Sequence, residues 1–299
     1  LFYFICSIFI SINWIIDIAC YFGYFLAIFL VVFIALIPGF IFAFMLISLL
    51  WKKKEEKKCK EERDVTILVP MYNVKTCIKE TIESIKKQKY CGNIYTILID
   101  DGSTDGSLEF VKSLDLGPKT TLLELEHKGK AYALNEALKH VKTDYTITVD
   151  ADTVLHPLAV RNIMHQLVNS DKKTAATAGC LFVKNTKRNF ITKLQEWDYS
   201  LGIFGVKLYQ GNYQSTLVAQ GAFSAYKTAL LKQIGGWQNC EGEDIVLTWE
   251  LLSQGYETNF AQNAIAFTEV PKTFKDLGRQ RKRWARGMIE AFKRVKIVT

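Results

Sequence analysis

Hydrophobic and polar positions follow two regimes along this chain. From Leu1 to Trp51 apolar residues run almost unbroken, and Asp17 is the only ionised side chain before Lys52. An apolar stretch of about 20 residues is long enough to cross a bilayer. Tyr21 to Trp51 meets that length, with Pro38 and Gly39 as the expected kink. Leu1 to Ile16 is shorter and begins at Leu, so it is read as the trimmed end of an earlier span. It lacks the basic flank and small-residue cleavage site of a signal peptide.

From Val65 the pattern changes to short β-rich runs alternating with segments of helical period. Strands are expected at Val65–Pro70, Ile94–Ile99, Thr121–Leu125 and Tyr145–Val149. Helices are expected between them, near residues 75–88, 104–113 and 129–141. Such alternation predicts a mostly parallel sheet with helices on both faces, which binds ligands beyond the carboxyl ends of its strands. After Pro157 the alternation loosens. Ala175–Val183 and Phe260–Val270 read as strands, Val218–Tyr226 as strand or loop, and Phe190–Tyr209 and Glu243–Ser253 as helices. Thr273–Val295 is basic and amphipathic, a pattern suited to a membrane surface.

Charge refines this picture. The net charge of +8 owes much to Lys52, Lys53, Lys54, Lys57, Lys58, Lys60 and Arg63, which follow Trp51 at once. A basic cluster just past a span stays in the cytoplasm, so residues 65 onward are expected there. Lipid headgroups account for the cluster, and no nucleic-acid recognition motif accompanies it. The seven cysteines form no CxxC pair, so they read as reduced structural thiols.

Candidate chemistry sits at the predicted strand ends. Asp100-Asp101-Gly102-Ser103 follows the second strand; its carboxylates could accept hydrogen bonds from a base or ribose, although the same residues also make a plain turn with a capping serine. Asp150-Ala151-Asp152 places two carboxylates at the end of the fourth strand. Hard oxygen ligands suit Mg²⁺ or Mn²⁺, which also binds phosphates, although this short pattern recurs in solvated turns. Gly129-Lys130 opens a helix whose amides and ammonium could hold a diphosphate; taken alone, Lys130 is equally an ordinary surface residue. Glu243-Asp244 offers a carboxylate that could deprotonate a sugar hydroxyl, or simply an acidic pair at a helix start. In Gln280-Arg281-Lys282-Arg283-Trp284, Arg283 can pair with phosphate oxygens, Trp284 can stack on a sugar ring and Gln280 can bond hydroxyls. A basic helix face alone does not require that Gln and Trp.

Taken in order, DDGS, GKAYALN, DAD, GED and Q-x-x-R-W resemble the processive family-2 glycosyltransferases, which include cellulose, chitin, hyaluronan and poly-N-acetylglucosamine synthases. The resemblance runs from Val65 to Val295. It implies an α/β fold of the GT-A nucleotide-sugar-binding type, a mostly parallel sheet flanked by helices, with N-terminal transmembrane helices. It implies uridine contact by Asp101 with Asp100, diphosphate contact by Lys130, Asp150 near the nucleotide, and Asp152 as metal ligand. It further implies Asp244 as catalytic base, with Gln280, Arg283 and Trp284 on the pyrophosphate and the acceptor end. Gly242 stands where the family has Thr, and His127, where relatives often carry Asn, receives no role. Stretches within Lys187–Trp237, together with the VPKTFKDLGRQRKRWARG ending, are most similar to poly-β-1,6-N-acetylglucosamine synthases.

The expected organisation is a transmembrane region over 1–51, a basic cytoplasmic linker over 52–64, a GT-A domain over 65–271 and an interfacial helix over 272–299. The expected protein is a multi-pass plasma-membrane enzyme with its catalytic domain in the cytoplasm. It would polymerise a β-linked polysaccharide from a UDP-sugar, UDP-N-acetylglucosamine above others, with Mg²⁺ or Mn²⁺. Its partners would be that donor, the growing polysaccharide, the bilayer and a candidate accessory membrane subunit, with no nucleic acid. Relatives continue into further transmembrane helices beyond Q-x-x-R-W, so the chain is expected to be part of a longer protein. The alternatives are a nonprocessive transferase loading one sugar onto a polyprenyl phosphate and a nucleotide-binding regulator without activity. The full set of acidic residues argues against the regulator, and the absence of G-x-G-x-x-G after a strand argues against a dinucleotide-binding dehydrogenase.

Overall fold

A computed structural model of the chain describes residues 2–50, 63–213 and 215–295. Residues 51–62, which hold all of the basic cluster except Arg63, lie outside the described residues. The chain divides into two compact units, Leu1–Lys54 and Glu55–Thr299.

The first unit is helical. Helix α1 (Phe2–Phe22) ends at Gly23, and α2 (Tyr24–Leu30) passes through a π-helical segment (Val31–Leu36) into α3 (Ile37–Leu50). The wider turn lies directly before Pro38. A proline has no N–H and its ring crowds the carbonyl four residues back, so local widening relieves it. Because α1 continues to Phe22, it is longer than the sequence pattern implied. Ile5–Phe22 and Tyr24–Ala43 are both long and apolar enough to cross a membrane.

The second unit is built on one eight-stranded sheet, in the order β3-β2-β1-β4-β7-β6-β8-β5. Strands β1 (Val65–Met71), β2 (Ile94–Asp101), β3 (Thr120–Leu125) and β4 (Tyr145–Val149) are mutually parallel. They are joined by α4 (Ile78–Lys86), α5 (Ser107–Lys112) and α6 (Lys130–His140). This half follows the alternation read from the sequence. Strand β1 shows how the residues specify it: Val65, Ile67 and Val69 enter one core, while Leu68 enters the other with Ile97 and Ile99. Burying each such side chain contributes about 1.5–3 kcal/mol.

The second half is mixed. Short β5 (Thr153–Leu155) and α7 (Ala159–Val168) lead to β6 (Thr174–Val183). Helix α8 (Phe190–Asp198) passes through a second π-helical segment (Tyr199–Gly205) into α9 (Val206–Tyr213). Then come β7 (Phe223–Lys227), α10 (Thr228–Gln233), α11 (Glu243–Ser253), β8 (Glu257–Thr268) and α12 (Phe274–Arg294). Strand β7 runs antiparallel to both β4 and β6, and β5 antiparallel to β8. The sheet is therefore less parallel than the sequence implied, because after Pro157 the connections cease to be uniform crossover helices.

Candidate active site

Two acidic motifs flank the carboxyl end of β1. Strand β2 ends at Asp100 and Asp101, while β4 runs directly into Asp150. Asp101 is buried, and its carboxylate accepts from the amides of Lys128 and Gly129 at 2.9 and 3.0 Å. His127 Nδ1 also lies 2.9 Å from it. Asp101 thus closes the 127–129 turn that launches α6, and Gly129, at φ 98°, supplies a conformation other residues rarely adopt. His127 in turn stacks on Tyr72, with ring centroids 4.1 Å apart. Asp100 differs. One of its oxygens accepts from the Ser103 amide, while Oδ1 is buried with no partner among the described residues. A buried acceptor without a donor is costly unless a ligand supplies one.

Lys130, the first residue of α6, joins three of the motifs. Its Nζ lies 2.6 Å from Asp150 Oδ1 and 3.3 Å from Glu243 Oε1. Burial alone would lower its pKa, but these two carboxylates outweigh burial and hold it well above the usual lysine value. Burial likewise raises Glu243, with Lys130 opposing and Asp244 and Asp150 adding to the rise. Asp152 is pushed up to about 6, first by burial and then by Asp150. Among the described residues its Oδ1 has only long side-chain contacts, 3.3 and 3.4 Å, to the hydroxyls of Thr153 and Thr268.

Among the described residues no group of three or more His, Cys, Asp or Glu stands together as a metal site. Asp150 and Asp152 nevertheless fit a divalent cation. Both are hard oxygen donors, their mutual repulsion would be relieved by positive charge, and phosphate oxygens can complete the shell.

Asp244 stands in the first turn of α11. Its Oδ2 accepts from the Gly221 amide at 3.0 Å and its Oδ1 from the Ile245 amide at 2.8 Å. Both oxygens are oriented, so the carboxylate is held rather than free to rotate. Helix α12 docks on the start of this helix through a glycine pair: a Cβ placed on Gly242 would lie 2.6 Å from the Cα of Gly287. Trp249 and Phe292 extend the contact edge to face, with centroids 4.8 Å apart. The Gly at 242 therefore has a steric cause, since a threonine there would collide with the backbone of α12.

That docking brings Q-x-x-R-W to the sheet. Trp284 is partly buried against the core that includes Ala151 and Tyr199. Arg281 lies over its ring, 4.1 Å from the centroid, and pairs with Asp198. Gln280 Oε1 is buried without a partner among the described residues, while Arg283 is exposed. Burial pushes Tyr199 up to about 12; Arg281 opposes this, and Asp152, Asp198 and Asp150 add to it. The structure thus places Asp150, Asp152, Lys130, Asp244 and Trp284 around one region. It adds His127, Asp198, Tyr199, Glu243 and Arg281, which sequence reasoning did not assign. Glu243 had a signal in its acidic doublet. The others had none, because their roles depend on contacts across the fold.

Residues 62–287 match the family model described as Glycosyltransferase like family 2. The poly-β-1,6-N-acetyl-D-glucosamine synthase of Staphylococcus aureus (strain COL) is 30% identical over 241 residues, covering 79% of this chain and 57% of that protein. The same enzyme from Staphylococcus epidermidis is 30% identical over 225 residues, covering 75% of this chain and 54% of that protein. The chain thus spans little more than half the length of these relatives. A solved mannosyltransferase from Pyrobaculum calidifontis, in complex with GDP-Man and Mn²⁺, shares the fold with a TM-score of 0.67 at 24% identity, over 85% of this chain and 72% of that one. S. aureus TarS 1-349, in complex with UDP-GlcNAc, shares it with a TM-score of 0.51 at 19% identity, over 70% and 59% of the two chains.

Proposed function

The chain belongs to glycosyltransferase family 2 and has the GT-A fold, and from that premise we propose that it polymerises a β-linked polysaccharide from UDP-N-acetylglucosamine at a membrane. The observation that carries the reading is Lys130 bridging Asp150 and Glu243, with Asp244 next in sequence and Trp284 docked beside the sheet. The similarity to poly-β-1,6-N-acetylglucosamine synthases over most of this chain supports the choice of sugar.

In the proposed reaction, an acceptor hydroxyl attacks the anomeric carbon of the donor from the side opposite the diphosphate. The new C–O bond forms as the bond to UDP breaks, and the configuration inverts. Asp244 accepts the hydroxyl proton; its two amide contacts aim the carboxylate while leaving lone pairs free. Lys130 and the exposed Arg283 supply positive charge to the diphosphate. Asp100 receives a donor from the uridine at its unpartnered oxygen, while Asp101 acts chiefly by holding the turn before Lys130. Asp152, with Asp150 beside it, would hold Mg²⁺ or Mn²⁺, which when bound neutralises charge on the leaving diphosphate. Gln280 and Trp284 hold the terminal sugar of the acceptor, Trp284 by stacking its indole on the sugar ring and Gln280 by hydrogen bonds to the sugar hydroxyls.

The proposed organisation keeps residues 1–51 as membrane spans, 52–64 as a cytoplasmic linker, 65–271 as the catalytic domain and 272–299 as an interfacial segment. Exposed Phe274, Met288, Ile289 and Phe292 on α12 support the last assignment. The test is incubation of membranes bearing the protein with several labelled UDP-sugars, followed by linkage-specific hydrolases. A long product from UDP-N-acetylglucosamine, degraded by a β-1,6-specific hydrolase, is expected. A single sugar transferred to polyprenyl phosphate would overturn polymerisation while leaving the transferase chemistry in place.

A further inference from the structure

Lys207 of α9 is only 7% exposed, yet among the described residues no carboxylate pairs with it directly. Its Nζ donates to the carbonyl of Val218 at 2.8 Å and to Gln220 Oε1. Gln220 is itself buried, and its Nε2 donates to the carbonyl of Gly179 in β6 at 2.7 Å. The same short segment is tied on its other side to α11. The Gly221 amide donates to Asp244 Oδ2 at 3.0 Å, the Ala219 amide to Thr248 Oγ1 at 2.9 Å, and Thr248 Oγ1 in turn to the Asp244 carbonyl at 2.6 Å. One buried ammonium therefore anchors the loop that orients the acidic residue at the head of α11. An ammonium buried among neutral acceptors is expensive, and a packed apolar residue at this position would be cheaper for stability alone.

We propose that Lys207 is a positioning residue for Asp244: it clamps residues 218–220, so fixing the Gly221 amide that aims the carboxylate. This rests on the reading of Asp244 as the base. The titratable groups that face Lys207 are Asp244 from α11 and Cys180 from β6. Burial pushes the Cys180 thiol up to about 12, so it stays neutral and Asp244 is the charge that matters. Burial lowers Lys207 to about 7, with Asp244 and Cys180 opposing.

The experiment compares Lys207→Met, Gln220→Leu and Asp244→Asn in the full chain, with UDP-N-acetylglucosamine as donor and UDP release as readout. In Lys207→Met we expect kcat to fall roughly 10²-fold, as for an Asp244 misplaced by about 1 Å, with donor KM little changed. Gln220→Leu should lower kcat in the same way, because it breaks the same clamp. Unchanged kcat in Lys207→Met overturns the inference. So does a parallel loss of kcat, donor affinity and thermal stability, which marks a purely structural lysine. Should Lys207→Met not fold, full kcat in Gln220→Leu is enough to overturn it. Asp244→Asn retaining turnover defeats the base assignment instead, and the two failures are thereby told apart. A crystal structure of Lys207→Met that keeps the Gly221–Asp244 bond intact also defeats the clamp, whatever donor the enzyme takes.

Discussion

At the residue scale, the chemistry reduces to which oxygens have spare capacity. Asp244 is oriented by two amides and still has lone pairs for a proton. Asp244→Asn should lower transfer by about 10²–10⁴-fold, the usual cost of removing a general base, while UDP binding measured by calorimetry stays nearly intact. Near-normal polymer synthesis would remove Asp244 from that role. Asp152 accepts long hydrogen bonds from the hydroxyls of Thr153 and Thr268. Asp152→Ala should lose both turnover and the metal-dependent part of UDP affinity, and full activity in excess chelator would exclude a metal-dependent reaction. Trp284 belongs to the acceptor half of the proposed site. Trp284→Ala should depress polymer synthesis more than donor hydrolysis, since aromatic contacts contribute about 0.5–1.5 kcal/mol beyond burial. UDP release with and without an added oligosaccharide makes the comparison, and an equal fall in both would place Trp284 in the fold or the donor site.

At the scale of elements, the docking of α12 on α11 decides whether Q-x-x-R-W meets the sheet. A Cβ on Gly287 would lie 2.7 Å from the Cα of Gly242, backbone against backbone, with no flexible side chain to yield. Gly287→Ala should therefore displace α12, costing about 1–3 kcal/mol and most of the turnover. Gly278→Ala on the same helix meets nothing within 4 Å. It should be neutral or stabilising by up to about 1 kcal/mol through helix propensity. Thermal unfolding and UDP release on the pair separate the close contact from a general intolerance of α12. The buried lysine of α9 makes a second prediction. It titrates at about 7 in the fold against the ordinary 10.5, so between these values the unfolded chain holds the extra proton. Its contribution to stability should rise with pH through that window and be least favourable below it. The difference in denaturant midpoint between wild type and Lys207→Met should trace that rise, and a flat difference would contradict it.

At the scale of the whole molecule, two units of opposite character share one chain: helices apolar enough to cross a membrane, and an α/β domain with its acidic motifs at the strand ends. Removing residues 1–51 should release the protein from membranes, as assayed by sedimentation, and impair polymer synthesis. A soluble, fully active truncation would weaken the membrane-coupled reading. What the sequence by itself determined here follows from local physics. Period-2 and period-3.6 patterns, strand-end acidic motifs and a long apolar run are each written within a few neighbouring residues. Hence the parallel half of the sheet, α11, α12 and the residues of each motif were legible. The departure of the apolar helix from α geometry, at Val31–Leu36, lies ahead of Pro38 and Gly39, where the kink was expected. Only the tertiary structure decided the mixed half of the sheet, in which β7 and β5 run antiparallel to their neighbours while β6 and β8 pair in parallel, since strand direction after Pro157 depends on connections with no uniform pattern. It alone divided the labour between Asp100, left with a bare oxygen, and Asp101, spent on the turn of residues 127–129. It alone explained Gly242 by Gly287, and placed Asp198, Tyr199, Arg281 and Lys207 around the site. Those facts are contacts between residues tens of positions apart, and no local pattern encodes which side chains a closed sheet brings face to face.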